Sequence, residues 1–246
     1  MSLPINPIIL IPARMQSARL PNKPLADING IPMIVHVWKR ALEAQLGRVI
    51  VACGELEIAN AIEEEGGEAV LTDPNLPSGS DRIFAALNIA DPQMQHDAVI
   101  NVQGDLPVLA TSTIVAAYHL LDNTDVDIGT VAAEIVDDSE RTTPSVVKVI
   151  VAWDTTGFQG KALYFTRAPA PTGDGPMYHH IGLYAYQRHA IERFVKLPLS
   201  KLEQQEQLEQ LRAIENGMRI DVALVDTIPF GVDTPQDLAK ARILMK

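Results

Sequence analysis

The chain has 246 residues, 47% of them hydrophobic and 21% charged, as in an ordinary soluble protein with one large domain or a domain with an appendage. Its net charge of -11 and isoelectric point near 4.9 argue against a nucleic-acid or anionic-membrane partner. No apolar run reaches the roughly 18 residues of a membrane span, so a cytoplasmic protein is expected.

The chain opens without a basic stretch leading into a long apolar segment, so no signal peptide is expected. Residues 8–11, Ile8-Ile9-Leu10-Ile11, are the kind of short apolar run that makes a strand buried on both faces. This strand is expected to break at Pro12 into a loop bearing Arg14, Arg19 and Lys23 and stiffened by Pro21 and Pro24. No acidic residue precedes Asp27 in this acidic chain. A basic loop at the carboxyl end of a buried strand is where an open α/β sheet binds an anion. The functional reading is a nucleotide triphosphate site; the alternative is an exposed loop of solvated charges.

Residues 31–44 predict a helix with Pro32 in its first turn and Ile34, Val37, Trp38, Ala41 and Leu42 facing inward. Residues 48–53 predict a strand that ends in Cys53, the single cysteine, which excludes an intrachain disulfide and is expected to be packed. A helix over 56–65, with Ile58, Ala61 and Ile62 inward, stops at Gly66-Gly67, and a short strand over 68–71 follows. This alternation predicts right-handed crossovers and a parallel sheet. The loop 72–80 leads into a helix over 81–89, capped by Ser80 or Asp81. Gly79 would let backbone approach a ligand closely. Arg82 stands in the first turn, where a cation is disfavoured, which suggests an anionic or polar partner nearby.

Residues 97–102 predict a further strand, followed by Gln103-Gly104-Asp105-Leu106-Pro107. Asp105 therefore sits past a strand's carboxyl end, on the same edge as the basic loop. There it can serve as a Mg²⁺ carboxylate or as a plain turn residue. A helix over 113–121 follows. Strands over 128–135, 146–151, 163–166 and 178–186 then gather without intervening helices. Residues 154–160 form a hairpin connection and 168–176 an irregular loop. His179 and His180 point to opposite faces of a strand, so a shared metal is not expected; one of them is expected inward, contacting substrate. Helices are expected over 187–195 and 201–216, the second stopped by Gly217, with Leu202, Leu208, Leu211 and Ile214 inward and Glu203, Glu206 and Glu209 solvated. The last strand covers 220–225. The last helix, 236–244, has Thr234 as N-cap, Pro235 at its first position and Asp237 as capping partner. Asp233 is left without a capping role and is read as a second Mg²⁺ carboxylate paired with Asp105. The whole chain, 1–246, is taken as one domain with an embedded extension at about 127–200.

These motifs carry a resemblance. Ile11-Pro12-Ala13-Arg14 and Ser17-x-Arg19-Leu20-Pro21-x-Lys23-Pro24-Leu25 resemble the opening signature of the nucleotidyltransferases that load acidic sugars onto CMP. Ser78-Gly79-Ser80-Asp81-Arg82, Asn101-Val102-Gln103-Gly104-Asp105, Tyr164-Phe165-Thr166-Arg167-Ala168, His180-Ile181-Gly182-Leu183-Tyr184, Leu208-Glu209-Gln210-Leu211-Arg212 and Val232-Asp233-Thr234-Pro235 extend it in order over nearly the whole chain. The ordered set resembles the family of 3-deoxy-manno-octulosonate cytidylyltransferases, or CMP-KDO synthetases. That resemblance implies a Rossmann-like nucleotidyltransferase fold, a mostly parallel mixed sheet flanked by helices with a small β-rich extension, and a homodimer. It implies transfer of CMP from CTP to 3-deoxy-D-manno-octulosonate (KDO), giving CMP-KDO and diphosphate for lipopolysaccharide synthesis, with Mg²⁺ as cofactor.

By the same resemblance, Arg14 and Lys23 match triphosphate-binding positions and Asp105 and Asp233 match the Mg²⁺ carboxylates. Ser78, Gly79, Arg82 and Gln103 match the cytidine region; Arg167, His180, Tyr184, Glu209 and Gln210 fall where the family binds its sugar acid. Three departures stand out. Leu106-Pro107 stands where the family often has Glu-Pro, Cys53-Gly54-Glu55 where Thr-Asp is common, and Pro77 where a His or Gln is common before the Ser-Gly motif. Two rivals remain: another acid sugar, such as sialic acid or a modified KDO, and a silent nucleotide-binding homologue.

Overall fold

The computed structural model describes residues 4–17 and 19–246. Ala18 of the basic loop, and the first three residues of the segment read as lacking a signal peptide, lie outside that description. The chain forms two compact units, Ile5–Val115 with Pro229–Lys246, and Pro4 with Ala116–Ile228.

The first unit is built around β1 (Pro7–Ala13). Its residues Ile8, Ile9, Leu10 and Ile11 are wholly buried, each worth roughly 1.5–3 kcal/mol of burial. A two-residue hairpin follows, β2 (Asp27–Ile28) against β3 (Ile31–Pro32). Then come α1 (Met33–Glu43), β4 (Arg48–Cys53), α2 (Leu56–Glu63), β5 (Glu68–Leu71), α3 (Gly79–Ala90) and β6 (Ala98–Asn101). The sheet order is β5-β4-β1-β6 with every pair parallel, as the strand–helix alternation requires. The chain leaves this unit within α4 (Thr111–His119) and returns for a C-terminal helix, Pro235–Leu244. That helix packs Leu238 and Ala241 on Leu20, Ile28, Met33 and Val232.

Two boundaries in this unit differ from expectation. β1 does not break at Pro12 but runs through it to Ala13, in register with Ala52 and Cys53. Leu10 O accepts from Val102 N at 3.1 Å, and pairing with β6 ends at Leu10. Pro12, two residues on, faces that same side, where no strand remains to require its missing N–H. The helix expected from residue 31 starts at Met33, because Ile31-Pro32 is taken into the hairpin and Pro32 becomes the N-cap. Ile34, Val37, Trp38 and Ala41 are buried as expected, whereas Leu42 is exposed.

The second unit carries β7 (Ile128–Glu134), α5 (Asp138–Thr142), β8 (Lys148–Trp153), β9 (Gln159–Thr166), β10 (Tyr178–Gln187), α6 (Arg188–Phe194), α7 (Lys201–Glu206), α8 (Gln210–Glu215) and β11 (Ile220–Leu224). Its strands run β10-β7-β11-β9-β8, mixed in direction, and β10 also pairs with β8, so the strands close on themselves at one end. The segment 127–200 falls inside this unit. The fold is the expected α/β class, with a parallel sheet flanked by helices and a β-rich part.

The single helix expected over 201–216 is two. Gln207 adopts a left-handed conformation (φ 57°, ψ 46°) and ends α7. The turn lets Arg212 reach back to Glu203 in a bidentate pair, 2.8 Å from Nε to Oε2 and 2.5 Å from Nη2 to Oε1. Glu203, expected in solvent, is buried. Glu206, also expected in solvent, accepts from the Thr166 hydroxyl at 2.8 Å and from the backbone N–H of Arg167 at 2.9 Å.

Candidate functional site

The site in the first unit lies at the carboxyl ends of β1 and β6. Beyond β1 the chain enters the basic loop, held by Glu55, whose carboxylate accepts from Met15 N at 3.0 Å. Beyond β6 it turns through Gln103-Gly104-Asp105. A side chain at 104 would put its Cβ 2.7 Å from Pro12 O. Only glycine permits this approach of the two segments. Asp105 O then accepts from Val232 N at 2.9 Å, which ties the turn to the segment before the C-terminal helix. There Thr234 and Asp237 close the expected capping box, and Asp233 is free to face Asp105.

The two carboxylates meet at Lys23. Its Nζ donates to Asp105 Oδ2 at 2.8 Å and to Asp233 Oδ1 at 3.0 Å, although these residues lie 82 and 210 positions away in sequence. Burial works against the charge on Lys23, but the two carboxylates outweigh it and its pKa is raised. Arg19 Nη2 binds the other oxygen of Asp233 at 2.9 Å. Arg14 lines the same cavity of about 350 Å³ and has no hydrogen-bond or ion-pair partner among the described residues. It is therefore available to an anion.

A second cavity, of about 260 Å³, shares Arg14, Gln103 and Asp105 with the first and adds Ser78, Gly79 and Arg82. The N-cap of α3 is Ser78, not Ser80 or Asp81: its hydroxyl oxygen accepts from Asp81 N at 3.1 Å. The polar partners anticipated for Arg82 belong to its own loop. The guanidinium donates to Thr72 Oγ1 at 2.6 Å, Asp73 O at 3.1 Å and Pro74 O at 3.1 Å. Burial lowers the pKa of Arg82. Burial first, and the charge of Glu55 second, push the Cys53 thiol up to about 11, so it is a packing residue and no thiolate nucleophile.

Asp105 and Asp233 fit a hard divalent cation. Their oxygens already converge on one cationic nitrogen, and Mg²⁺ takes one or two carboxylates and completes its shell with water and phosphate. No third His, Cys, Asp or Glu joins them in a cluster among the described residues. With Mg²⁺ bound, the remaining positions would fall to water and substrate oxygens.

The second unit holds the other predicted residues. His180 and Tyr184 lie on β10 on either side of a register irregularity, and both are buried. Thr130 donates its one hydroxyl proton to a β10 carbonyl, Leu183 O at 2.7 Å, so it accepts from His180 Nε2, 3.0 Å away. Burial first, then His179, lowers the His180 pKa to about 3, and the imidazole is neutral. Burial, then Tyr186 and Glu209, raise that of Tyr184. Gln210 is buried at the start of α8, with Glu209 just before it. Arg167 is committed to the protein: it donates to Glu206 O at 2.8 Å, Pro144 O at 3.0 Å and Gln207 O at 3.3 Å. It fixes the turn between α7 and α8 that carries Glu209 and Gln210.

Two contributors escaped the sequence reading as site residues. Arg19 was visible as a loop cation but had no assigned partner, and Glu55 gave no signal that it would hold the loop.

Residues 8–220 match the cytidylyltransferase family. A 3-deoxy-manno-octulosonate cytidylyltransferase of Paramagnetospirillum magneticum is 57% identical, covering 98% of both chains. One from Parvibaculum lavamentivorans is 60% identical over 96% of this chain and 92% of its own. Among solved structures, a CMP:2-keto-3-deoxy-manno-octonic acid synthetase complexed with CTP matches with a TM-score of 0.88 and 37% identity over 98% of each chain. A 4-diphosphocytidyl-2C-methyl-D-erythritol synthase from Anaerococcus prevotii, at 12% identity and a TM-score of 0.65, shares the fold alone.

Proposed function

The chain belongs to the 3-deoxy-manno-octulosonate cytidylyltransferases, within the cytidylyltransferase family, and on that premise we propose that it transfers CMP from CTP to KDO. The observation that carries this reading is the convergence of Lys23, Asp105 and Asp233 at the ends of two parallel strands, beside Arg14, which has no hydrogen-bond or ion-pair partner among the described residues.

The anomeric hydroxyl of the sugar attacks the α-phosphorus of CTP, the bond to the diphosphate breaks, and the hydroxyl proton is lost. No thiolate is placed for a covalent intermediate, which favours one in-line step. Asp105 and Asp233 would hold Mg²⁺, which when bound polarises phosphate oxygens and makes a nearby hydroxyl more acidic. Arg14 and Lys23 receive the negative charge that moves onto the leaving diphosphate. A preorganised donor of this kind is worth roughly 3–4 kcal/mol. Gln103, Ser78, Gly79 and Arg82 line the adjoining cavity, which suits the cytidine. By the family resemblance His180, Tyr184, Glu209 and Gln210 would bind the sugar acid, with Arg167 holding the turn that leads into α8.

The product would supply lipopolysaccharide synthesis, since KDO is a sugar of that polymer. The cytoplasm is the compartment where CTP is made. A homodimer is supported by the β8–β9 hairpin, which leaves Phe158 and Leu163 exposed. The direct test is diphosphate release from CTP and Mg²⁺ with KDO, sialic acid or no sugar. Release with KDO alone is expected; release with sialic acid alone, or none at all, would refute the assignment.

A further inference from the structure

Two carboxylates that share one point repel each other, and here protein cations cancel them. Lys23 Nζ lies between Asp105 and Asp233 at 2.8 and 3.0 Å, and Arg19 Nη2 holds the far oxygen of Asp233 at 2.9 Å. The four groups together are neutral. A divalent cation entering the pair would have to break these contacts, and would leave the pair equally neutral with two protein cations released.

We propose that Lys23 and Arg19 are internal counter-ions of the Asp105–Asp233 pair, exchanged for the divalent cation when the nucleotide arrives. This rests on the reading of that pair as the metal carboxylates. The backbone around Lys23 is held: Leu25 N donates to Asn22 O at 2.9 Å, Ala26 N to Lys23 O at 3.1 Å, and Pro24 is buried. The exchange therefore needs only rotation of a long, flexible side chain. Once released, both cations stand on the loop with Arg14 and face the triphosphate that accompanies the metal. Their new acceptors are the phosphate oxygens. Metal and nucleotide must then bind cooperatively, each raising the affinity for the other by the same factor.

The exchange makes a prediction opposite in sign to that of a structural role. If Lys23 merely props the carboxylates together, its loss lets them splay and weakens metal binding. If it competes for them, its loss strengthens metal binding. The experiment is Mn²⁺ binding to the purified protein without nucleotide or sugar, read by electron paramagnetic resonance. Lys23 is largely shielded but its carboxylate partners are 33% and 45% exposed, so the two contacts are modest barriers and Lys23→Met should bind Mn²⁺ about tenfold more tightly than the parent. Arg19→Met should show a smaller gain, and adding Asp105→Asn to Lys23→Met should abolish it. Lys23→Gln gives the same readout should the methionine variant fold poorly by circular dichroism. Equal or weaker Mn²⁺ binding in the folded Lys23 variant, or a gain that survives Asp105→Asn, overturns the proposal. No substrate enters the measurement, so failure of the CTP and KDO assignment would be seen separately, in diphosphate release.

Discussion

The buried Glu203–Arg212 pair offers the sharpest test of how the second unit is held. Both side chains are less than a tenth exposed. The guanidinium also sits over the Phe194 ring, 4.9 Å from its centroid, and the carboxylate closes the Ser200 capping box, accepting from Ser200 N at 3.1 Å. Substituting Glu203→Gln removes the negative charge of this bidentate pair from beside a buried guanidinium, while one amide oxygen still accepts. Breaking a buried pair on one side costs about 3–5 kcal/mol; the retained acceptor puts this variant near the lower end. For a protein of this size about 3 kcal/mol corresponds to a fall in Tm of roughly 6–12 °C. Thermal unfolding followed by circular dichroism measures it. A Tm within about 2 °C of the parent would refute the reasoning. The double variant Glu203→Leu with Arg212→Met should recover most of the loss, because removing both charges removes the penalty of an unpaired one.

Asp105→Ala and Asp233→Ala should each abolish CMP transfer with the fold intact; normal turnover by either purified variant would remove the metal-carboxylate assignment. Arg14→Ala should lower kcat/KM by about 10²–10³, the value of one preorganised donor, with no change in Tm, since Arg14 has no hydrogen-bond or ion-pair partner to lose among the described residues; an unchanged kcat/KM would free it of that role. His180, whose folded pKa is lowered to about 3 from 6.5, binds a proton in the unfolded chain before it does in the native one. Stability contributed this way is complete above the unfolded value and is lost as pH falls from 6.5 toward 3, by about 1.4 kcal/mol per unit. Urea unfolding at pH 6.5 and 5 should show that extra slope in the parent and not in His180→Gln; parallel slopes would place the imidazole in contact with water.

How much of this was legible depended on the range of the interaction. β4 and β5 were readable because short apolar runs there are bounded by glycines and turns, and both strands stand at the expected residues. That Asp233 stands outside the capping of its helix was readable by elimination, because the capping box at Thr234 and Asp237 is a local grammar that leaves one carboxylate over. Glu203 and Glu206 were misread because the same local grammar paints them as a solvated helix face. Their burial depends on Arg212, Thr166 and Arg167 arriving from elsewhere in the chain, and on a left-handed Gln207 that no propensity rule would place in mid-helix. Lys23 was legible as a cation of the loop, yet its partners Asp105 and Asp233 could be known only once three segments had been brought to one point.

The departures from the family pattern change the walls of the site and take acidic side chains from its edge, while Arg14, Lys23, Asp105 and Asp233 stay in place. A Cβ at Gly54 would stand 3.2 Å from Arg82 Nη1 and 3.2 Å from Pro74 Cα, so the absent side chain leaves room for the guanidinium to turn onto Thr72, Asp73 and Pro74. An aspartate there would compete with those neutral acceptors and would draw Arg82 out of its loop. Leu106 reaches within 3.5 Å of where a Cβ at Gly231 would lie, so it packs as an apolar spacer beside the segment that delivers Asp233. A glutamate at 106 would place a third negative charge on this edge, whereas leucine leaves the Asp105–Asp233 pair matched by Lys23 and Arg19 alone. That balance is the condition for the exchange of counter-ions proposed above, because a third carboxylate would hold a divalent cation before the nucleotide came.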